Sequence, residues 1–221
     1  MMESTFNYSQ LLTICLLWTG YFLIHSVTAS LGLKRWVAKH HNNLMPAYRL
    51  SFNFLSIALI APILWLSYHW ASEPLWHWTT VLFWITSFIS LGTIIAFYFS
   101  LKYYDMAEFM GTRQWTEQNK QVEDQEQFVI GEFHRFVRHP WYSMGIILIW
   151  CRELDPVMLT SAVMLTLYFV VGSRLEERKL IQYHGEVYRR YIERVPGLIP
   201  RPWRFLSKIQ AKELLVNRPQ N

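Results

Sequence analysis

Residues 138–178 read RHPWYSMGIILIWCRELDPVMLTSAVMLTLYFVVGSRLEER. Two apolar runs, 140–151 and 156–173, flank the charged link Arg152-Glu153-Leu154-Asp155, and ionisable residues close both outer ends. Proline suits the first turn of a helix, where its missing N–H would have no partner anyway, so Pro140 opens the first arm. At about 1.5 Å per residue that arm reaches only about 18 Å and the second about 27 Å, against a hydrocarbon core about 30 Å thick. The pattern predicts a helical hairpin with one short arm. Arg138 and His139 then lie in a recess below the membrane surface, facing Glu176 and Glu177 across the hairpin.

The rest of the chain fits that setting. Of 221 residues, 52% are hydrophobic and only 17% charged, and Trp occurs 11 times. Such an aromatic load suits a protein whose surface passes from apolar to wet. Segments 10–31, 50–68 and 79–101 are long enough to span hydrocarbon, with Pro62 expected to kink the second. The fold class expected is all-α: a polytopic membrane protein with about five transmembrane helices, including the C-terminal hairpin, plus cytoplasmic interfacial helices. Four regions follow: three transmembrane helices in 1–101, a connector in 102–135, the hairpin with a cytoplasmic helix in 136–202, and a basic tail in 203–221.

Charge sets the expected orientation. Positive residues collect on cytoplasmic loops. Lys34, Arg35, Lys39 and Arg49 follow the first segment, while only Glu73 follows the second. Lys102, Arg113, Lys120, Arg135 and Arg138 follow the third. The N-terminus is therefore expected outside and the C-terminus in the cytoplasm, in a bacterial inner membrane. The stretch before the first apolar run carries Glu3 and no Lys or Arg, so that run reads as a retained helix and not a signal peptide. Residues 1–173 hold 10 basic and 11 acidic residues, whereas 174–221 hold 11 and 5. Beside membrane helices, such a tail points to the anionic surface of a lipid bilayer and not to nucleic acid. Trp203, Phe205, Leu206, Ile209 and Leu214 interleave with Arg204, Lys208 and Lys212 as an amphipathic helix would.

Several chemistries leave no trace. Cys15 and Cys151 stand alone in apolar segments, with no CxxC and no Cys/His cluster, so neither a disulfide framework nor a zinc site is indicated. There is no glycine-rich phosphate loop, nucleophile elbow or metal motif. In the connector, 103–109 reads as an interfacial helix, 111–114 as a turn and 117–127 as a solvated acidic patch. A long structured loop of this kind is a candidate lid.

Arg138 and His139, a cationic pair at a buried helix start, suit a carboxylate or phosphate; a plain positive-inside anchor would look the same. If the second arm stays helical beyond Ser173, Glu177, Ile181, His184 and Tyr188 form one stripe and Glu176, Leu180, Tyr183 and Val187 another. Pairing with Arg174 and Lys179 on a solvated face is the plainer alternative. Tyr142, Tyr188 and Tyr191 offer faces for an adenine ring or a sulfonium, or interfacial anchors. His25, beside Ser26, is either a hydrogen-bonded core histidine or a functional group.

Taken in order, Arg138-His139-Pro140-x-Tyr142, Glu176-Glu177-x-x-Leu180, Gly185-x-x-Tyr188-x-x-Tyr191, Val195-Pro196 and Ile199-Pro200 resemble the cofactor region of a known superfamily. It is the integral membrane methyltransferases of the isoprenylcysteine carboxyl methyltransferase and phospholipid N-methyltransferase type. In the N-terminal half, His25-Ser26, Lys34-Arg35-Trp36, Tyr48-Arg49 and Gly111-x-Arg113-Gln114 resemble its bacterial branch of methanethiol S-methyltransferases and NnrU-type proteins. The resemblance implies S-adenosylmethionine as cofactor, held by Arg138, His139, Tyr142, Glu176, Glu177, Tyr188 and Tyr191. It implies a small or lipophilic acceptor entering from the bilayer, a thiol such as methanethiol being the best fit. Glu177 or His25 would then be the base, and Arg113 and Gln114 would close over the pocket. Two rivals share the fold: an NADPH-dependent reductase using Arg189, Arg190 and Arg201 for phosphates, and a non-enzymatic NnrU-like accessory protein.

Overall fold

The computed structural model describes residues 7–122 and 128–216, so that part of the acidic patch at 117–127 and the end of the basic tail lie outside the described residues. The regular elements are helices: α1 Tyr8–Ala29, α2 Leu31–His40, α3 Met45–His69, α4 Thr80–Ser100, α5 Met106–Met110, α6 Thr112–Thr116, α7 Pro140–Trp150, α8 Pro156–Arg194 and α9 Lys208–Val216. Helices α1, α3, α4 and α8 are long and apolar enough to cross a membrane, and α7 is apolar but short. The protein is an all-helical polytopic membrane protein, with the apolar segments where hydropathy places them.

Local chemistry sets the boundaries. Asn7 caps α1, and Ser30 ends α1 while its hydroxyl accepts from Leu33 N–H at 3.2 Å to start α2. Asp155, buried in the hairpin link, accepts from the N–H groups of Val157 and Met158 at 2.8 and 2.9 Å. A side-chain acceptor here satisfies helix-start donors that have no partner within the helix. Helix α8 continues past its apolar part, through the charged residues after Ser173, and breaks only at Gly185, where φ is +56°. Positive φ is open to glycine at little cost. The stripe that begins at Glu177 is therefore interrupted before Tyr188.

The chain divides into two units. The first comprises Met1–His77, Tyr104–Glu126 and Glu153–Leu165. Its core is Ile14, Trp18, Ile63 and Val157. The Trp18 indole donates to the Ser161 hydroxyl at 3.0 Å, and Ser67 lies 3.3 Å from that hydroxyl. Polar groups at this depth need internal partners, since lipid supplies none. The connector is bound at its root: Arg49 Nε donates to Phe109 O at 3.1 Å, and Asn53 Nδ2 to Phe109 O and Met110 O at 3.0 Å. Between α5 and α6, Gly111 sits at φ +87°, and a Cβ there would come within 2.7 Å of the Leu50 backbone nitrogen. The segment 111–114 is thus a single left-handed residue followed by helix.

The second unit comprises Trp78–Tyr103, Gln127–Arg152 and Thr166–Asn221. Helices α4 and α7 pack together, with the Trp141 indole donating to Ser100 Oγ at 2.8 Å. Trp150 donates to Thr166 Oγ1 at 3.0 Å, tying α7 to α8. Val187, Tyr188, Tyr191, Val195, Leu206, Ala211 and Leu214 form its core. This unit carries the hairpin's ionisable ends.

Candidate functional site

The start of α7 is held by a strap of chain, 195–198. The N–H groups of Arg138 and His139 donate to the carbonyls of Pro196 (2.9 Å) and Gly197 (3.1 Å). The Ser143 hydroxyl lies within hydrogen-bond reach of the Leu198 carbonyl. Gly197 lies against the site, where a Cβ would sit in ordinary contact with Arg138 Nη2 at 3.4 Å. With α7 so placed and α8 helical past Ser173, the four ionisable side chains meet.

Glu177 Oε1 is the centre. Arg138 Nε and Nη2 approach it at 2.8 and 2.7 Å, and His139 Nε2 at 2.9 Å. The other imidazole nitrogen, Nδ1, lies 3.5 Å from Glu176 Oε2, which also accepts from the Tyr142 hydroxyl at 3.0 Å. Arg138 Nη1 donates to Ile192 O at 3.2 Å and to Val195 O. Most of the guanidinium's donors are therefore spent inside the protein, and so are both imidazole nitrogens. The His139 side chain is 5% exposed and that of Glu176 is 44% exposed. A ligand would thus reach Glu176 and Tyr142 first.

An aromatic column runs from the tetrad. The rings of His139 and Tyr142 stack at 5.4 Å and 9°, and those of Tyr142 and Phe169 at 5.1 Å and 17°. Gly145 leaves room for it, since a Cβ there would lie 3.3 Å from the Phe169 ring. Phe169 carries no signal of its own in an apolar run, and only the hairpin's register shows its place.

Burial alone would lower the proton affinity of His139, but hydrogen bonds and charge from Glu176 and Glu177 outweigh it, and its pKa is raised. Nearby His134 is driven down to about 4, first by burial and then by the His139 charge. The two act in opposite senses. A raised histidine stabilises the fold fully below its unfolded value, and that contribution is lost as pH rises through the folded one. His134 makes the fold lose stability as pH falls from about 6.5, the unperturbed value, towards 4. Thermal unfolding in detergent should show a midpoint that drops on both sides of a near-neutral maximum. His139→Gln should flatten the alkaline limb; a midpoint whose alkaline fall survives that change rules out the assignment.

The other residues named from sequence lie as follows. Tyr188 and Tyr191 are buried in the second unit's core, and the Tyr191 hydroxyl donates to His134 O at 2.6 Å. In the first unit, His25 packs against Tyr21 and Phe52, with ring centroids at 5.5 and 4.9 Å. Arg113 Nη2 pairs with Asp105 at 2.7 Å, and Gln114 Nε2 donates to Glu108 O at 3.2 Å. Lys34, Tyr48, Arg49, Glu108 and Gln114 line one small cavity of about 20 Å³. That cavity takes residues from three of the four N-terminal motifs but neither His25 nor Ser26. The strap carbonyls escaped sequence reading because a backbone acceptor has no residue signature.

Comparison with known proteins bears on what this site serves. The chain is 31% identical over 202 residues to methanethiol S-methyltransferase 2 of Bradyrhizobium diazoefficiens, covering 88% of this chain and 75% of that protein. It is 27% identical over 185 residues to the methanethiol S-methyltransferase of Crocosphaera subtropica, covering 81% and 71%. A third relative of that name, from Mycobacterium tuberculosis, is 27% identical over 207 residues, covering 88% and 80%. No protein-family model matches the chain, and no solved structure matches it.

Proposed function

Because the chain belongs to the methanethiol S-methyltransferase family, we propose that it is a membrane methyltransferase that uses S-adenosylmethionine and methylates methanethiol or a similarly small, lipophilic thiol. The observation that carries this reading is the similarity over three quarters of a methanethiol S-methyltransferase. The donor set of the tetrad is compatible with it. The cofactor, when bound, supplies a methyl group made electrophilic by a sulfonium.

The protein's own residues then divide the work. Arg138 and His139 hold Glu177, and through it the middle of α8, in place. Glu176, with the Tyr142 hydroxyl, offers an acceptor edge for an ammonium or ribose hydroxyls. Phe169, at the far end of the column from His139, gives an aromatic face that favours a cation by about 0.5–2 kcal/mol. Tyr188 and Tyr191 support this wall from the core. Alignment and exclusion of water are the main demands of such a displacement. With three N–H contacts from cationic side chains on one oxygen, Glu177 is a poor proton acceptor. The base role therefore goes to His25 in this proposal, with Arg113 and Gln114 assigned to closure. The N-out, C-in orientation follows from the loop charges.

Calorimetric titration of the detergent-solubilised protein tests the proposal. Saturable binding of S-adenosylmethionine and S-adenosylhomocysteine is expected, and none for NADPH. Labelled donor with methanethiol should yield labelled dimethyl sulfide. No saturable heat with the first two ligands sinks the proposal, and tight NADPH binding favours a reductase. Tyr142→Phe should keep the ring stack and weaken S-adenosylhomocysteine about tenfold, the scale of one hydrogen bond to a charged group. His25→Ala should slow methyl transfer at least about a hundredfold if it is the base; an unchanged pH–rate profile removes it from that role.

A further inference from the structure

The sequence pattern of the tail mixes two faces, and the structure separates them. Leu206, Ala211 and Leu214 turn into the core of the second unit. Trp203, at the tip of the tight turn closed by Arg204 N–H to Arg201 O at 3.0 Å, is 77% exposed. Ile199, Ile209 and Val216 are also exposed, at 75%, 69% and 80%. On α9, Ile209, Lys212, Glu213 and Val216 line one shallow outer face. The basic side chains are sorted in the same way. Arg204 turns inward, donating to Ile192 O at 3.0 Å and to Glu193 O. Arg201 and Lys212 are exposed and have no carboxylate partner among the described residues. Lys208 reaches Glu132 at 3.1 Å.

Exposed apolar side chains gathered in one segment mark an interaction surface. Exposed Trp and Ile beside unpaired Arg and Lys match an interface that is apolar at one depth and anionic at the next. Within 199–216 the carboxylate of Glu213 is outnumbered by Arg201, Arg204, Lys208 and Lys212, a balance that favours an anionic lipid surface. We propose that residues 199–216 dock on an anionic lipid surface. Trp203, Ile199, Ile209 and Val216 insert at headgroup level, and Arg201 and Lys212 lie over lipid phosphates. The segment follows directly on the strap that holds Arg138 and His139. The proposal does not depend on methyl transfer.

The test uses the full chain in nanodiscs of phosphatidylcholine alone or with one third phosphatidylglycerol, each with and without brominated acyl chains. The Trp203 signal is the difference between the native protein and Trp203→Phe. Strong quenching by bromolipid is expected in the anionic discs, falling in phosphatidylcholine and falling again with added salt, which screens surface charge. Arg201→Glu with Lys212→Glu should weaken docking at least about tenfold, given the attraction of each basic residue to an anionic leaflet. An unquenched Trp203 overturns the proposal. So does equal quenching in both lipids or quenching insensitive to salt. The salt series on the native protein stands even where the charge-reversed variant does not fold.

Discussion

Glu177→Ala is expected to lower stability by about 3 kcal/mol, because removing one partner of a buried ion pair leaves the other charge uncompensated. Here two charges are left. Glu177 Oε1 is the shared acceptor for Arg138 and His139, whose contacts run from 2.7 to 2.9 Å. The side chains of Arg138 and Glu177 are only slightly exposed, so water replaces little of what is lost. About 3 kcal/mol amounts to roughly a hundredfold in the folding equilibrium, and S-adenosylhomocysteine binding should weaken as well, because the tetrad places Glu176 and Tyr142. Glu177→Gln keeps the shape and one acceptor, and should cost about 1–2 kcal/mol. The order native, Gln, Ala in both unfolding midpoint and ligand affinity is the result to look for. His139 should titrate lower in either variant, since one of its two carboxylates is gone. If Glu177→Ala melts with the native protein and binds the ligand equally well, the tetrad is not what organises this site.

Gly111→Val should be equally damaging, for a reason of backbone and not of charge. The residue sits at φ +87°, where a side chain costs about 1–2 kcal/mol. Its Cβ would also fall 2.7 Å from the Leu50 backbone nitrogen and 2.8 Å from Arg49 Cβ. Neither atom is the free end of a flexible chain. Overpacking of this kind adds about 1–3 kcal/mol, so a total of at least about 3 kcal/mol is expected. The connector would lift from α3, losing the hydrogen bonds of Arg49 and Asn53 to Phe109 and Met110. Gly172→Ala is the control: nothing lies within 4 Å of a Cβ there, and the change should stabilise by about 0.5–1 kcal/mol. Limited proteolysis at the connector, with unfolding midpoints, reads both variants. A native midpoint for Gly111→Val would mean that the turn tolerates a side chain.

The hairpin was legible because its signals are local. Pro140 opens α7, Asp155 caps α8, and the two apolar runs have the lengths of one short and one long arm. The meeting of Arg138 and His139 with Glu176 and Glu177 followed from that register alone. The extent of α8 was less legible, because its charged continuation carries no apolar pattern, and Gly185 could be read equally as a stop or as a kink. The connector's attachment was not legible at all. It depends on backbone carbonyls of Phe109 and Met110, whose positions follow from folding and not from residue type.

The amino-acid sequence by itself determined that this is an all-helical membrane protein with ionisable groups at both ends of a C-terminal hairpin. Hydropathy and helix boundaries act over one turn to a few turns of chain, so composition and spacing suffice. Only the tertiary structure decided how those groups are used. Arg138 and Glu177, separated by 39 positions, spend their charges on each other, Tyr188 and Tyr191 pack into the core, and Glu176 with Tyr142 stays at the accessible edge. Charge pairing falls off with distances of a few ångströms in space, and no spacing along the chain encodes those distances.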